Sequence, residues 1–276
     1  MVEQTDVVVV GGGIVGTATA FHLAERGVET VLIDDGREGD ATAAGAGIIS
    51  PATSSRRQHD DWYAFAEAAA AHYPNLIRRI QSQGVDDHGY EQEDMLSVAI
   101  TPAEAETLQT DYERAAERDA DFEEITPEEA EDAFPALKGV ERALRFHGAA
   151  RVDGATLTSG MRRAGRRTGL TTFDGTVEEI LTEDGAVSGV VVDAAGRVSR
   201  QQQRSAGGSE RIDADRVVVA GGAWSSEFGD DLGYSLPVSP MRGQIVHLDA
   251  TEGTAFDAEA DLPIVGSVSD NYIVPW

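Results

Sequence analysis

The chain has 276 residues, of which 41% are hydrophobic, and it contains no cysteine. Its length and apolar content are sufficient for one large folded domain or two interleaved ones, and the absence of cysteine excludes disulfides, iron–sulfur clusters and cysteinyl attachment of a cofactor. A formal net charge of −27 makes nucleic acid and anionic membrane surfaces poor partners, because like charges repel.

The charge imbalance extends along the whole chain. Asp and Glu total 49 residues against 22 Lys and Arg, and Lys138 is the only lysine. We interpret this acidity as a halophilic adaptation, because at 1 M salt the screening length falls to about 3 Å and self-repulsion is suppressed. Glu3 and Asp6 stand where a signal peptide would be basic, and no apolar run is long enough to span a membrane, so a cytoplasmic location is expected.

The predicted elements begin with a βαβ unit. Residues 6–10 (DVVVV) predict a buried strand, 14–26 a helix and 29–33 a second strand. Two acidic helices, 102–119 and 127–133, each open with Thr-Pro, which suits the N-cap and first-turn positions. The other predicted elements are a helix over 57–83, strands over 94–101, 142–153, 176–181, 186–193, 210–220, 243–248 and 271–275, and an exposed loop over 199–210.

A glycine cluster joins the first strand to the first helix. Gly11, Gly13 and Gly16 match G-x-G-x-x-G, and Asp34 ends the next strand 18 residues after the last glycine. Gly11 permits a tight turn, Gly13 leaves room for a pyrophosphate, and Gly16 lets helix and strand pack closely. Asp34 is placed to bind an adenosine ribose, which argues against a 2′-phosphate. The motif predicts a dinucleotide site and leaves FAD and NAD both open.

Six stretches carry a family resemblance: GGGIVG, VLIDDG, GDATAAGAGIISP (39–51), GTVEEI (175–180), RVVVAGGAWSSEF (216–228) and PMRGQIVHL (240–248). With them the chain resembles the FAD-dependent D-amino acid oxidase superfamily, and within it the glycine oxidase and sarcosine oxidase-like branch. Beyond the three glycines, the resemblance implies further FAD-binding residues. They are Ile14, Val15, Asp34 and Asp35 at the phosphates and ribose, Ala41, Thr42, Ala46, Gly47 and Ile48 beside the flavin, Val177 at the adenine, and Gly221, Gly222 and Trp224 near the cofactor.

The resemblance also implies a fold. It is an α/β fold in which a glutathione-reductase-like FAD-binding Rossmann domain is interleaved with a smaller α+β substrate domain on an antiparallel or mixed sheet. The FAD-binding domain is expected at 1–88 and 150–235, and substrate-domain elements at 89–149 and 236–276. Family chains continue with another strand set, a Gly-rich segment at the flavin ring and residues that grip the substrate carboxylate. We therefore expect the chain to lack the C-terminal part of the family fold.

The implied reaction is oxidation of the C–N bond of a small amino acid or secondary amine, of the glycine, sarcosine or D-amino acid type, by hydride transfer to flavin. Oxygen or an unknown acceptor would take the electrons. No catalytic side chain is predicted, because the flavin carries the chemistry. Arg242 is the candidate for binding the substrate carboxylate, with an ordinary surface arginine as the alternative.

Several other properties are expected. The FAD is predicted to be non-covalent, because the chain has no cysteine and residues 39–51 contain no histidine. No metal is predicted, since the six histidines lack ligand spacing. The oligomeric state is left open. Two alternatives also stay open: an NAD-dependent dehydrogenase, and a catalytically silent dinucleotide-binding fragment.

Overall fold

The structure is a computed structural model that describes residues 2–54, 59–193, 209–248, 262–269 and 271–276. In chain order the elements are β1 (Gln4–Val10), α1 (Ile14–Ala24), β2 (Thr30–Asp34), α2 (Ala41–Ala44), β3 (Ile48–Ile49), a 3₁₀ helix (Pro51–Thr53), α3 (Asp60–Ser82), β4 (Tyr90–Ala99), α4 (Pro102–Glu117), β5 (Phe122–Ile125), α5 (Pro127–Ala133), β6 (Arg142–Val152), α6 (Gly154–Arg167), β7 (Thr171–Asp174), β8 (Thr176–Glu183), β9 (Ala186–Asp193), β10 (Ser209–Val219), a 3₁₀ helix (Gly222–Phe228), α7 (Gly229–Leu232), β11 (Ile264–Ser267) and β12 (Tyr272–Ile273).

The chain folds into two compact units. Unit 1 comprises residues 1–45, 78–88 and 154–244, and unit 2 comprises residues 46–77, 89–153 and 245–276. The domain boundaries expected from sequence differ from these units mainly at 46–77, which fold with unit 2. Each unit contains one six-stranded sheet.

Unit 1 is built on a mixed sheet with the strand order β7-β2-β1-β10-β9-β8. The first four strands are parallel, and β9 and β8 run antiparallel. Valines of β1 fill both faces: Val7 and Val9 pack with residues of α1, while Val8 and Val10 pack with residues of β8 and β9. Because β1, β2 and β10 are parallel, their carboxyl ends meet at one edge of the sheet, where ligands of open α/β sheets bind.

Unit 2 contains the second mixed sheet, with the strand order β12-β11-β4-β6-β3 and β5 also paired to β6. Side chains of β4 alternate between two apolar clusters. Met95 packs with Leu108 of α4 on one face, and Leu96 packs with Phe134, the C-cap of α5, on the other. The two acidic helices therefore cover opposite faces of this sheet with their apolar residues.

Most predicted elements are present, and the prediction was wrong in three respects. Residues 235–248 form no strand, although one was predicted over 243–248. A strand needs a hydrogen-bonded neighbour, and none of the described strands pairs with this segment. The predicted strand 271–275 is reduced to Tyr272–Ile273. The sequence analysis also missed elements that the structure contains: α2, β3, β5, α6, β7, α7 and β11. Of the predicted loop 199–210, residues 199–208 lie outside the described residues.

The predicted N-cap and first-turn positions of Thr-Pro are confirmed in α4 and α5, and both helix starts also form capping boxes. The hydroxyl of Thr101 accepts a hydrogen bond from the Glu104 N–H, and the Glu104 carboxylate accepts from the backbone of Ile100 and Thr101. Thr126 and Glu129 repeat the arrangement. The hydrogen bond from the Ile100 N–H is the largest cause that lowers the pKa of Glu104. Because the folded-state pKa is lowered, this contribution to stability is present above the unfolded-state pKa and is lost as the pH falls through the folded value.

Thr101→Ala is expected to lower the free energy of unfolding by about 1 kcal/mol, because the Glu104 N–H in the first turn of α4 loses its acceptor. Thr107→Ala is the matched control in the same helix, since its hydroxyl only donates to the Ala103 carbonyl one turn back. That change is expected to stay within about 0.5 kcal/mol of wild type. Urea denaturation measures both, and equal effects of the two substitutions would contradict the capping role.

Candidate functional site

The glycine turn lies at the carboxyl end of β1. Gly11 has φ +99°, and its N–H donates to the Ile33 carbonyl of β2 at 2.8 Å. A Cβ on Gly11 would lie 2.5 Å from the Ala220 carbonyl oxygen, and one on Gly16 would lie 1.9 Å from the Gly11 oxygen. Such distances are shorter than van der Waals contact, so the backbone packing requires glycine at both positions.

Gly13 has a different environment. It is the N-cap residue of α1 with φ −64°, and a Cβ there would meet only the Thr42 hydroxyl, at 3.1 Å. The space beside Gly13 is therefore free for a ligand. The side chain of Val15 is 68% exposed at this end of α1.

The start of α1 offers hydrogen-bond donors. The first intrahelical hydrogen bond runs from the Thr17 N–H to the Gly13 carbonyl, so the N–H groups of residues 14–16 precede it. The Ile14 N–H donates to the Thr42 hydroxyl at 3.0 Å. Helix N-termini of this kind bind phosphate groups, and the free space at Gly13 fits the pyrophosphate of a dinucleotide.

Asp34, at the end of β2, pairs with an arginine that the sequence analysis missed. Arg162 of α6 donates from Nη2 to the Asp34 carboxylate and to the Gly12 carbonyl. A Cβ on Gly12 would lie 2.0 Å from that Nη2 atom. The glycine at position 12 could have indicated this contact in the sequence, because the dinucleotide fingerprint requires glycine only at positions 11, 13 and 16.

Asp35 is held by Arg37. The Arg37 guanidinium donates to Asp35 at 2.5 Å and to Glu227 at 3.1 Å, and it lies 5.6 Å from the ring centroid of Trp224. Burial opposes the charge of the guanidinium, but the hydrogen bonds to the two carboxylates outweigh it and raise the pKa of Arg37. Asp35 and Trp224, which were predicted near the cofactor, are thus brought together by Arg37.

The segment containing Ala41 and Thr42 forms the short helix α2. Asp40 caps it by accepting a hydrogen bond from the Ala43 N–H at 2.8 Å. A Cβ on Gly154 would lie 2.5 Å from the Thr42 carbonyl, so α2 packs closely against the start of α6.

The second glycine pair follows β10 at the same edge of the sheet. The Cα of Gly221 would lie 2.9 Å from a Cβ on Gly11, and Gly222 has φ +53°. The Trp224 N–H donates to the Gly221 carbonyl at 3.0 Å. Val177, the residue predicted at the adenine, is buried in β8 opposite Val192. Their roles toward a cofactor stay predictions.

The remaining predicted residues are Ala46, Gly47, Ile48 and Arg242. Ala46, Gly47 and Ile48 belong to unit 2. Gly47 has φ +69°, a Cβ on it would lie 1.8 Å from the Val152 carbonyl, and Ile48 pairs with Arg151 of β6, so both have a packing role in that unit. Arg242 belongs to unit 1 and lies on the exposed irregular segment 235–248, which crosses from unit 1 to unit 2 after residue 244. Their roles toward FAD or substrate remain predictions.

The described residues offer neither a cluster of metal ligands nor a membrane-spanning helix. They contain no group of three or more His, Cys, Asp or Glu side chains arranged to hold a metal ion. In the same part of the chain no helix is both long and apolar enough to cross a membrane.

Comparisons with known proteins give a consistent result. The chain is 32% identical to the uncharacterized oxidoreductase YurR of Bacillus subtilis over 98% of this chain and 68% of the relative. It is 32% identical to the glycine oxidase of Pseudomonas putida over 98% of this chain and 67% of that protein. The crystal structure of iminodiacetate oxidase from Chelativorans sp. BNC1 superposes with a TM-score of 0.80 at 30% identity, covering 96% of this chain and 67% of that one.

The chain thus spans about two thirds of the length of these relatives. The family model for FAD dependent oxidoreductases, DAO, matches residues 6–276. Its cofactor, FAD, is a dinucleotide, and the free space at Gly13, the donors of α1 and the carboxylate of Asp34 fit it. This chain belongs to the DAO family of FAD-dependent oxidoreductases.

Proposed function

We propose that the protein oxidises the C–N bond of a small amino acid or secondary amine, of the glycine, sarcosine or D-amino acid type. Support comes from the names of two relatives, a glycine oxidase and an iminodiacetate oxidase. Glycine and iminodiacetate share an amino nitrogen on a CH₂ group next to a carboxylate. The proposed substrate class, D-amino acids included, has an amino nitrogen on the carbon next to a carboxylate.

The observation that carries the proposal is the open position at Gly13, where the Thr42 hydroxyl is the one described atom within 4 Å of an added Cβ, at the carboxyl edge of the parallel strands. When bound, FAD supplies a hydride acceptor for the carbon that bears the amine. In the proposed site, the N–H groups of residues 15 and 16 bind the pyrophosphate, and Asp34 accepts hydrogen bonds from the adenosine ribose. Thr42 holds the first turn of α1 through the Ile14 N–H.

The attachment of FAD is proposed to be non-covalent. The chain has no cysteine, and the segment 39–51 has no histidine. Arg242 is proposed to bind the substrate carboxylate, because a guanidinium forms paired hydrogen bonds with a carboxylate. Membership of an FAD-dependent family favours FAD over NAD as the dinucleotide.

The chain mixed with FAD is expected to retain the absorbance bands of oxidised flavin at about 350 to 500 nm after gel filtration, which bound NAD does not have. Anaerobic addition of glycine, sarcosine or iminodiacetate is expected to bleach these bands. Oxygen is then readmitted, and the return of the bands tests whether oxygen accepts the electrons of the reduced flavin. D-lactate, a carboxylate without nitrogen, is the matched control and should leave the spectrum unchanged. Retained flavin that no amine bleaches would overturn the proposed activity and favour a silent dinucleotide-binding chain.

A further inference from the structure

We propose that Arg162 is a positioning residue for FAD: it holds Asp34 and the glycine turn in the arrangement that receives the adenosine ribose and the pyrophosphate. The inference rests on the proposed site at Gly13 and Asp34. It concerns a residue on α6, 128 positions from Asp34, that belongs to no dinucleotide fingerprint.

The contacts of Arg162 join two parts of the site. Its Nη2 atom donates to the Asp34 carboxylate and to the Gly12 carbonyl, while Nε lies 3.4 Å from the Thr17 hydroxyl. Thr17 in turn donates to the Gly12 carbonyl at 2.9 Å. One guanidinium therefore fixes the end of β2, the glycine turn and the first turn of α1 relative to one another.

The charge of Arg162 also matters to Asp34. The two side chains are only 26% and 25% exposed, so the carboxylate has limited access to water. A partly buried carboxylate is costly unless a cation or donors compensate it. Arg162 donates to Oδ2 of Asp34, whereas among the described residues Oδ1 has a long 3.5 Å contact with the Gly36 N–H. Oδ1 is the atom that we assign to the ribose hydroxyls.

Gly12 provides an independent observation. Its φ is not positive, so the backbone conformation does not demand glycine. A Cβ at this position would lie 2.0 Å from Arg162 Nη2 and 2.5 Å from Asp34 Oδ2. The ion pair occupies the position that a Cβ of residue 12 would take. This explains why residue 12 is a glycine.

The experiment compares Arg162→Met with Arg163→Met, a neighbour on α6 that loses the same charge. Arg163 donates instead to the Asp87 carbonyl at 3.0 Å and is 46% exposed. Flavin fluorescence titration is expected to show FAD binding about 10- to 100-fold weaker in Arg162→Met, the usual effect of losing a charged hydrogen bond. Arg163→Met is expected to stay within about twofold of wild type.

A second measurement separates positioning from a general loss of structure. Wild type is expected to bind ADP more tightly than 2′,3′-dideoxy-ADP in competition with FAD, and Arg162→Met is expected to lose most of that preference. In the double variant of Arg162→Met with Asp34→Asn, the fold-loss of FAD affinity should be smaller than the product of the fold-losses of the two single variants, because both residues act through one contact. Arg162→Lys keeps the charge with a single donor group, and it serves in place of the methionine variant should that one not fold.

The outcomes are distinguishable. Wild-type FAD affinity and sugar preference in an Arg162 variant that folds would overturn the role of Arg162 and leave the proposed site standing. Equal losses in the Arg162 and Arg163 variants would also overturn it, because the effect would then be one of charge alone. A wild-type chain that does not bind FAD would overturn the proposed site and this inference together.

Discussion

Gly13→Val is expected to weaken FAD binding by at least about 100-fold, because the branched side chain would occupy the space proposed for the pyrophosphate. The fold should tolerate the change. Gly13 has φ −64° and an extended ψ that valine adopts readily, and the only atom near its added Cβ is the Thr42 hydroxyl at 3.1 Å. The free energy of unfolding without FAD is therefore expected to fall by about 1 kcal/mol or less.

Gly16→Val is the matched control for this result. Its Cβ would lie 1.9 Å from the Gly11 carbonyl oxygen, a backbone atom that no side-chain rotation moves away. We expect this variant to lose about 2 kcal/mol or more of stability, as overpacked sites do. Thermal unfolding without FAD and flavin titration together separate the two glycines. Stoichiometric flavin in purified Gly13→Val would show that the pyrophosphate does not bind at this turn.

The melting temperature is expected to rise steeply between low salt and about 1 M KCl and to level off above it, because the Debye length falls to about 3 Å there. The structure contains two opposing effects of salt. Surface pairs such as Arg142–Glu124 and Arg211–Asp213 weaken when they are screened, but each contributes only about 0 to 1 kcal/mol. The repulsion among 49 acidic residues, opposed by 22 basic ones, is relieved at the same time.

The acidic helix α4 illustrates why repulsion should dominate. Its sequence PAEAETLQTDYERAAE has five carboxylates and one arginine, and Arg114 is paired with Asp111. Five negative charges against one positive charge leave this helix with an excess of negative charge, and screening relieves the repulsion of that excess.

Potassium sulfate at matched ionic strength is the control for the salt experiment. Sulfate is excluded from protein surfaces more strongly than chloride and would strengthen apolar burial. If screening is the cause, calorimetric melting temperatures in the two salts should coincide up to about 1 M ionic strength. An unchanged melting temperature from about 0.1 to 2 M KCl would defeat the halophilic proposal, since the Debye length falls from about 10 Å to about 3 Å or less over that range.

Features that depend on short stretches of chain are predictable from the sequence alone. The valine run of β1, the helix after it and the strand ending at Asp34 form the predicted βαβ unit. The Thr-Pro starts of α4 and α5 are also present, with capping boxes. These features follow from side-chain periodicity, backbone conformation and hydrogen bonds within a few residues, all of which can be recognised in a linear sequence.

The contacts between residues that are distant in sequence became visible in the folded structure. It inserts β10 beside β1, pairs Arg162 with Asp34 and joins Arg37 to Glu227, 190 positions away. It also shows that the alternating segment 243–248 has no strand partner among the described residues. A strand or an ion pair is stabilised by its neighbour in space, and the sequence of either partner does not specify that neighbour.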